Sequence, residues 1–79
     1  MAANTRIFWI SPSKRPRGTE QLTLHPTQVK TGDYVYLSGK HWQVRSMTSL
    51  TGGGRLLHFD GRTPYVMRVP MLMCRPRTR

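Results

Sequence analysis

The sequence predicts an all-β domain of five short strands curled into a small barrel. Three observations carry this. No window longer than about ten residues places apolar side chains at helical spacing, whereas period-two alternation recurs between turn signals. The chain has 79 residues, and a flat sheet of that size would leave one apolar face in water. A chain this short buries only about 60% of its unfolded surface, so its core is thin and a deep catalytic cavity is not expected.

The elements follow in order from Gln21. "QLTLHPTQV" puts Leu22 and Leu24 on one face and breaks at Pro26, as a short edge strand or an extended lead-in. "GDYVYLSGKHWQVRSM" reads as two strands around a tight turn at Ser38, Gly39 and Lys40, with Gly39 free to take a positive φ. "TGGGR" is a mobile connection, "RLLHFD" a third strand, "DGR" at Asp60 to Arg62 a hairpin turn and "TPYVMRV" a fourth strand. "MLMCRP" is the fifth, with a single helical turn at Pro70 ahead of it.

Alternation then assigns the faces. Val35, Leu37, Trp42, Val44, Leu57, Phe59, Tyr65, Met67 and Val69 point inward. Tyr34, Tyr36, Gln43, Arg45, His58 and Arg68 collect outside as a mixed aromatic and cationic face.

Three segments result. Residues 1–20 form a flexible basic arm with a short apolar segment at 7–10, because "SPSKRPRGTE" holds prolines, a glycine and cations but no apolar residue. Residues 21–75 form the barrel, and 76–79 a basic tail. The apolar segment, Ile7 to Ile10, either packs on its own domain as an edge strand or meets a partner.

Charge is the strongest functional signal. Thirteen Lys and Arg stand against Glu20, Asp33 and Asp60, a net +10 with histidines neutral. Such self-repulsion is relieved by a polyanion, which screens the cations and releases its own counterions. Nucleic acid is the expected partner. A membrane surface is not, since no amphipathic basic helix is visible. The bland alternative is that the balance only confers solubility.

The hairpin and its surroundings resemble a known family. In "VKTGDYVYLSGKHWQVRSM" a Gly-Asp precedes the first strand, a Gly-Lys turn follows it, an aromatic and a valine fill the second, and a glycine-rich loop comes next. This is similar to the opening of the Src-homology-type (SH3-like) small barrels, in particular the KOW-like domain of elongation factor P, over Val29 to about Asp60. The resemblance implies a five-stranded SH3-like barrel. The "LTGGGR" loop lacks a lysine at its tip, so the resemblance does not extend to a role in translation.

Candidate nucleic-acid contacts are of three kinds. Tyr34 and Tyr36 offer rings for stacking on bases, although tyrosine is also common on the solvent side of strands for its β propensity and wettable hydroxyl. Lys40, Arg45, Arg55, Arg62 and Arg68 lie on or near the outer face and loops as phosphate or base partners. Arg55 follows a flexible "GGG" that lets backbone approach a phosphate, without the Lys-Ser or Lys-Thr of a P-loop. Lys14, Arg15 and Arg17 in the arm, with Arg75 and Arg77 in "CRPRTR", supply cations at both ends. "KRPRG" resembles an AT-hook segment without its full core, which favours DNA over RNA.

Other chemistry is thinly represented. Three carboxylates, none at an interpretable spacing from a histidine, and a single Cys74 make no catalytic constellation, so no enzyme activity is expected. His25, His41, His58 and Cys74 contain no close ligand pair, so no metal and no cofactor is expected. Asp33 has a structural role before the first strand. One cysteine and no secretory segment point to the cytoplasm. The competing reading is a protein interaction module, for example a phage or plasmid-borne effector docking on an acidic host protein through Phe8, Trp9, Met71, Leu72 and Met73.

Overall fold

Where apolar and polar residues alternate the chain forms strands, and hydrogen bonds between distant segments decide where each strand stops. The computed structural model describes residues 15–77. They form seven strands: β1 Thr19–Leu24, β2 Tyr34–Leu37, β3 Lys40–Gln43, β4 Ser46–Ser49, β5 Arg55–His58, β6 Tyr65–Met67 and β7 Met71–Pro76. The all-β expectation holds. The strands do not close into one barrel sheet: an antiparallel four-stranded sheet, order β1-β7-β2-β3, stands beside a three-stranded one, order β4-β5-β6.

The extra strands have their causes in pairing between distant segments. The stretch expected as one strand from Lys40 to Met47 changes partner midway. Val44 donates its N–H to Asp33 O at 2.8 Å and accepts from Gly32 N at 2.9 Å, whereas Arg45 donates to His58 O at 2.8 Å. Val44 therefore belongs to the first sheet and Arg45 to the second, and the strand divides into β3 and β4. At the other end β1 is a full strand, registered on β7 from Thr19↔Pro76 to Leu24↔Met71. It begins two residues inside the stretch read as arm, because β7 supplies the backbone partners there. The arm's residues 1–14, with the apolar segment 7–10 and Lys14, lie outside the described residues, as do 78 and 79 of the tail.

Two smaller expectations also change. The helical turn lies at Pro26–Gln28, not at Pro70; Pro26 suits its first position because it has no N–H to leave unpaired. Val69 is 61% exposed instead of inward, since β6 ends at Met67 and the alternation stops with it. The turn between β2 and β3 is as expected: Ser38 and Gly39 take φ of 51° and 82°, the two positive values that a type I′ hairpin requires. The glycine-rich loop is closed by Leu50 N–H to Gly54 O at 2.9 Å. A Cβ on Gly54 would stand 3.2 Å from Met67 O and 3.0 Å from Arg68 Cγ, so its third glycine is set by close approach.

The core lies between the two sheets. Leu24, Val29, Val35, Val44, Leu57, Met67 and Met73 are buried in it, with Leu37, Trp42, Phe59 and Tyr65 among the residues packed on its margin. Both sheets present their apolar faces to it, which removes the wet face a single flat sheet would have.

One polar group sits at the edge of this core. Asp33 is 1% exposed. Its Oδ2 accepts from the Lys30 backbone N–H at 2.8 Å. Arg75 grips both oxygens, Nε to Oδ1 and Nη2 to Oδ2, each at 2.9 Å, and Nη2 also donates to Gln28 O at 2.8 Å. The hydrogen bond to Asp33 holds the Arg75 guanidinium above its ordinary pKa. The fork ties β7 to the loop that launches β2. A buried carboxylate stripped of its cation is strongly destabilising, whereas removing both charges costs far less. Arg75→Met should lower unfolding free energy by about 3 kcal/mol in urea titrations, and Asp33→Asn combined with Arg75→Met should recover part of that loss. Equal stability of wild type and Arg75→Met would contradict the role.

Candidate nucleic-acid interface

Strand β3 is an outer strand of the four-stranded sheet. Val44 pairs with Asp33 through main-chain hydrogen bonds, and Val35↔Trp42 and Leu37↔Lys40 stand at the same phase of the ladder. In an antiparallel pair every second residue turns its N–H and C=O away from the partner. On β3 these are His41 and Gln43, and no strand among the described residues covers that side.

Beside this edge lies a cleft of about 370 Å³ lined by Tyr34, Lys40, His41, Trp42, Gln43, Arg45 and Asp60. Alternation sets Trp42 and Lys40 on one side of β3 and His41 and Gln43 on the other, so the cleft wraps the strand's open edge. The indole of Trp42 packs near Phe59, centroids 6.5 Å apart. Lys40 Nζ stands 4.7 Å from its ring centroid and Arg62 Cζ 5.4 Å. Along the rim, Arg45 Nε donates to Asp60 Oδ2 at 2.9 Å and its Nη1 to Gln43 Oε1 at 3.1 Å. Gln43 Nε2 continues the chain to Gly32 O at 3.1 Å. Trp42 Nε1 and Arg62 Nη1 are buried without a hydrogen-bond partner among the described residues.

The expected outer face is divided. Tyr34 and Tyr36 sit half-buried on the outer face of the four-stranded sheet, opposite Gln43 and His41; Tyr36 meets His41 edge-on at 4.8 Å. His58 and Arg68 belong to the other sheet's side, where His58 Nε2 is 3.0 Å from Thr48 Oγ1 and Arg68 Nη1 donates to Thr51 O at 3.3 Å. Arg45 stands at the junction.

The remaining cations fall into separate groups. Arg55 turns toward the core margin, with Nη1 3.4 Å from Val29 O and 3.5 Å from Met47 Sδ. Arg75 is committed to Asp33. Arg77 N–H bonds Gly18 O at 2.8 Å, which sets the backbone of Arg77 beside that of Arg17–Gly18 where β1 starts and β7 ends. Of the residues named for protein docking, Met73 is buried in the core and Met71 packs against it, while Leu72 is exposed. Phe8 and Trp9 lie outside the described residues.

Alternation sets Trp42 on the core side of β3, where it packs partly buried against the core. What alternation does not show is that β3 lies at a sheet edge. The spacing Lys40-x-Trp42 carried the missing signal, since residues two apart on a strand share a face and set an ammonium beside the ring.

Cys74 lies opposite Tyr34 in the β2–β7 ladder, fully buried, with Sγ 3.8 Å from His41 Nε2. Burial pushes the thiol up, opposed by Thr19 and by the charge of Arg15, and burial pushes His41 down. Both shifts favour neutral thiol beside neutral imidazole, the opposite of an activated thiolate pair. No group of three His, Cys, Asp or Glu among the described residues is placed to hold a metal, and no helix among them is long and apolar enough to cross a membrane.

No protein-family description matches this chain, and no curated protein or solved structure shows significant similarity to it.

Because His41 is held below its ordinary value, the unfolded chain binds that proton more readily than the folded one. Stability is therefore intact above the ordinary histidine pKa of about 6.5 and is lost as pH falls below it. Tm should drop from about pH 7.5 to about pH 5.5, and His41→Gln should flatten that drop. Superimposable pH profiles for the two proteins would contradict it.

Proposed function

We propose that this protein binds nucleic acid without catalysis, with DNA preferred, and that phosphate contacts supply most of its affinity. The observation that carries this reading is the charge balance. Thirteen Lys and Arg face three carboxylates, and two of those carboxylates are already engaged, Asp33 by Arg75 and Asp60 by Arg45. Among the described residues no other Lys or Arg pairs with an acidic side chain. Cations left uncompensated over a small surface raise the local potential and attract a polyanion.

The placement of these cations supports the same reading. Lys40 and Arg45 line the aromatic cleft and Arg62 stands over its indole, while Arg77 joins the backbone that follows Arg17 at the β1–β7 end, with Lys14 and Arg15 preceding in sequence. The architecture we infer is a distorted small barrel of the Src-homology kind, KOW-like from Val29 to Asp60, parted at Val44–Arg45 into two sheets.

Docking on an acidic protein is the second reading. Val66, Val69 and Leu72, 48%, 61% and 39% exposed, are the apolar residues that favour it. Affinity purification with and without nuclease separates the two: partners lost on nuclease treatment support nucleic acid, and those that survive support protein docking.

For the first reading, fluorescence anisotropy with a short DNA should show affinity falling about a hundredfold from about 50 to about 200 mM salt, the loss expected for roughly four neutralised phosphates. Affinity unchanged by salt, or no binding at the lower salt, would sink the reading.

A further inference from the structure

Resting on the nucleic-acid reading, we infer that the cleft at the open edge of β3 receives one unstacked nucleobase, so that the protein takes single strands in preference to duplex. The cleft, about 370 Å³, lies at the lower end of the roughly 300–1,000 Å³ over which small ligands are held. It has room for a nucleobase. In a duplex each base has both faces covered by its neighbours, so contact with an indole requires the base to leave the stack.

The lining has what a base needs. Trp42 supplies an aromatic face. The cation now over it, Lys40, is exposed and carried on a flexible four-carbon stem, so it can move from the ring to the phosphate of the nucleotide whose base replaces it. Arg62, on the same indole, offers a second phosphate donor that a strand's geometry keeps near its base.

Hydrogen bonding is also provided for. Asp60 is bound to Arg45 through Oδ2, and its side chain is 79% exposed, leaving Oδ1 to accept from a base N–H or amino group. His41 and Gln43 add main-chain donors and acceptors along the uncovered edge. Two features thus converge on one place: a cleft lined by an indole and cations, and an open strand edge. The tyrosines play a smaller part, since only Tyr34 reaches the cleft.

An extended peptide could use the same edge by adding a strand to β3. The observations favour a base, because a peptide strand needs neither the indole face nor the two cations stacked on it.

The test uses the full chain carrying Trp9→Phe, which leaves Trp42 as its one indole. Three probes of equal length are titrated at the same salt: a mixed-sequence single strand of DNA, the same backbone made wholly of abasic sites, and a hairpin duplex. The single strand should quench Trp42 emission and bind about tenfold or more tighter than the duplex, in line with the gain from stacking one base. The abasic strand should fall back to about the duplex's affinity and leave the emission unmoved. Lys40→Ala, an exposed substitution, should weaken the single strand several-fold more than the duplex. If abasic and base-bearing strands bind equally, the base site is wrong and the nucleic-acid reading survives. If an acidic peptide quenches Trp42 while the single strand does not, the edge is a peptide site and the inference is overturned. If no probe binds at low salt, the nucleic-acid reading fails as well.

Discussion

Burying a carboxylate is costly unless a cation and hydrogen bonds meet it, and Arg75 supplies both to Asp33. The fork closes the end of the four-stranded sheet: it joins β7 to the loop before β2, reaches the Gln28 carbonyl, and so fixes where the hairpin carrying β3 begins. Main-chain bonds at Asp33 carry this forward, since its carbonyl accepts from Val44 at 2.8 Å. Beyond Val44 the chain crosses to the second sheet. The clasp and the hairpin thus meet at one residue, Asp33, through its side chain and its carbonyl.

The same economy shapes the surface. With three carboxylates in the chain, one sunk in the clasp and one held by Arg45, little remains to neutralise the other cations. The crossover at Val44–Arg45 leaves β3 on an outer edge, and the loop after β5 brings Asp60, Gly61 and Arg62 against it. Packing therefore creates the cleft, and sequence composition makes its borders positive. A sheet edge is ordinarily a hazard that a chain blunts with charge. Lys40 serves that purpose here, and in doing so stands where a ligand's phosphate would be met.

Much of the fold was legible from local pattern. The inward sets Val35 with Leu37 and Trp42 with Val44, the Ser38–Gly39 turn, and Leu57 in the core all follow from period-two alternation and one turn signal. What alternation could not show was partnership. The split of Lys40 to Met47 into two strands depends on His58 O, which is distant in sequence, and the full pairing of β1 depends on β7 at the opposite end of the chain. The site was legible in part for the same reason. Arg75 looked like one more tail cation beside Arg77, and only the fold brings it to Asp33. Trp42 was read correctly as facing the core, but edge position is a property of the sheet order and leaves no trace in one strand. Tyr34 and Tyr36 were outward as expected, yet the sheet switch separates them from His58 and Arg68.

The central claim is a division of labour among the arginines: Arg75 locked in the fold by Asp33, and Arg62 with the arginines at the β1–β7 end available to a polyanion. It is tested most directly by following arginine side-chain Nε–H signals by NMR as a single-stranded oligonucleotide is added. Arg75 should give a protected signal that stays in place, while Arg62 and the arginines at the β1–β7 end shift. An Arg75 signal that moves with the others, or a titration in which none moves, would contradict the account.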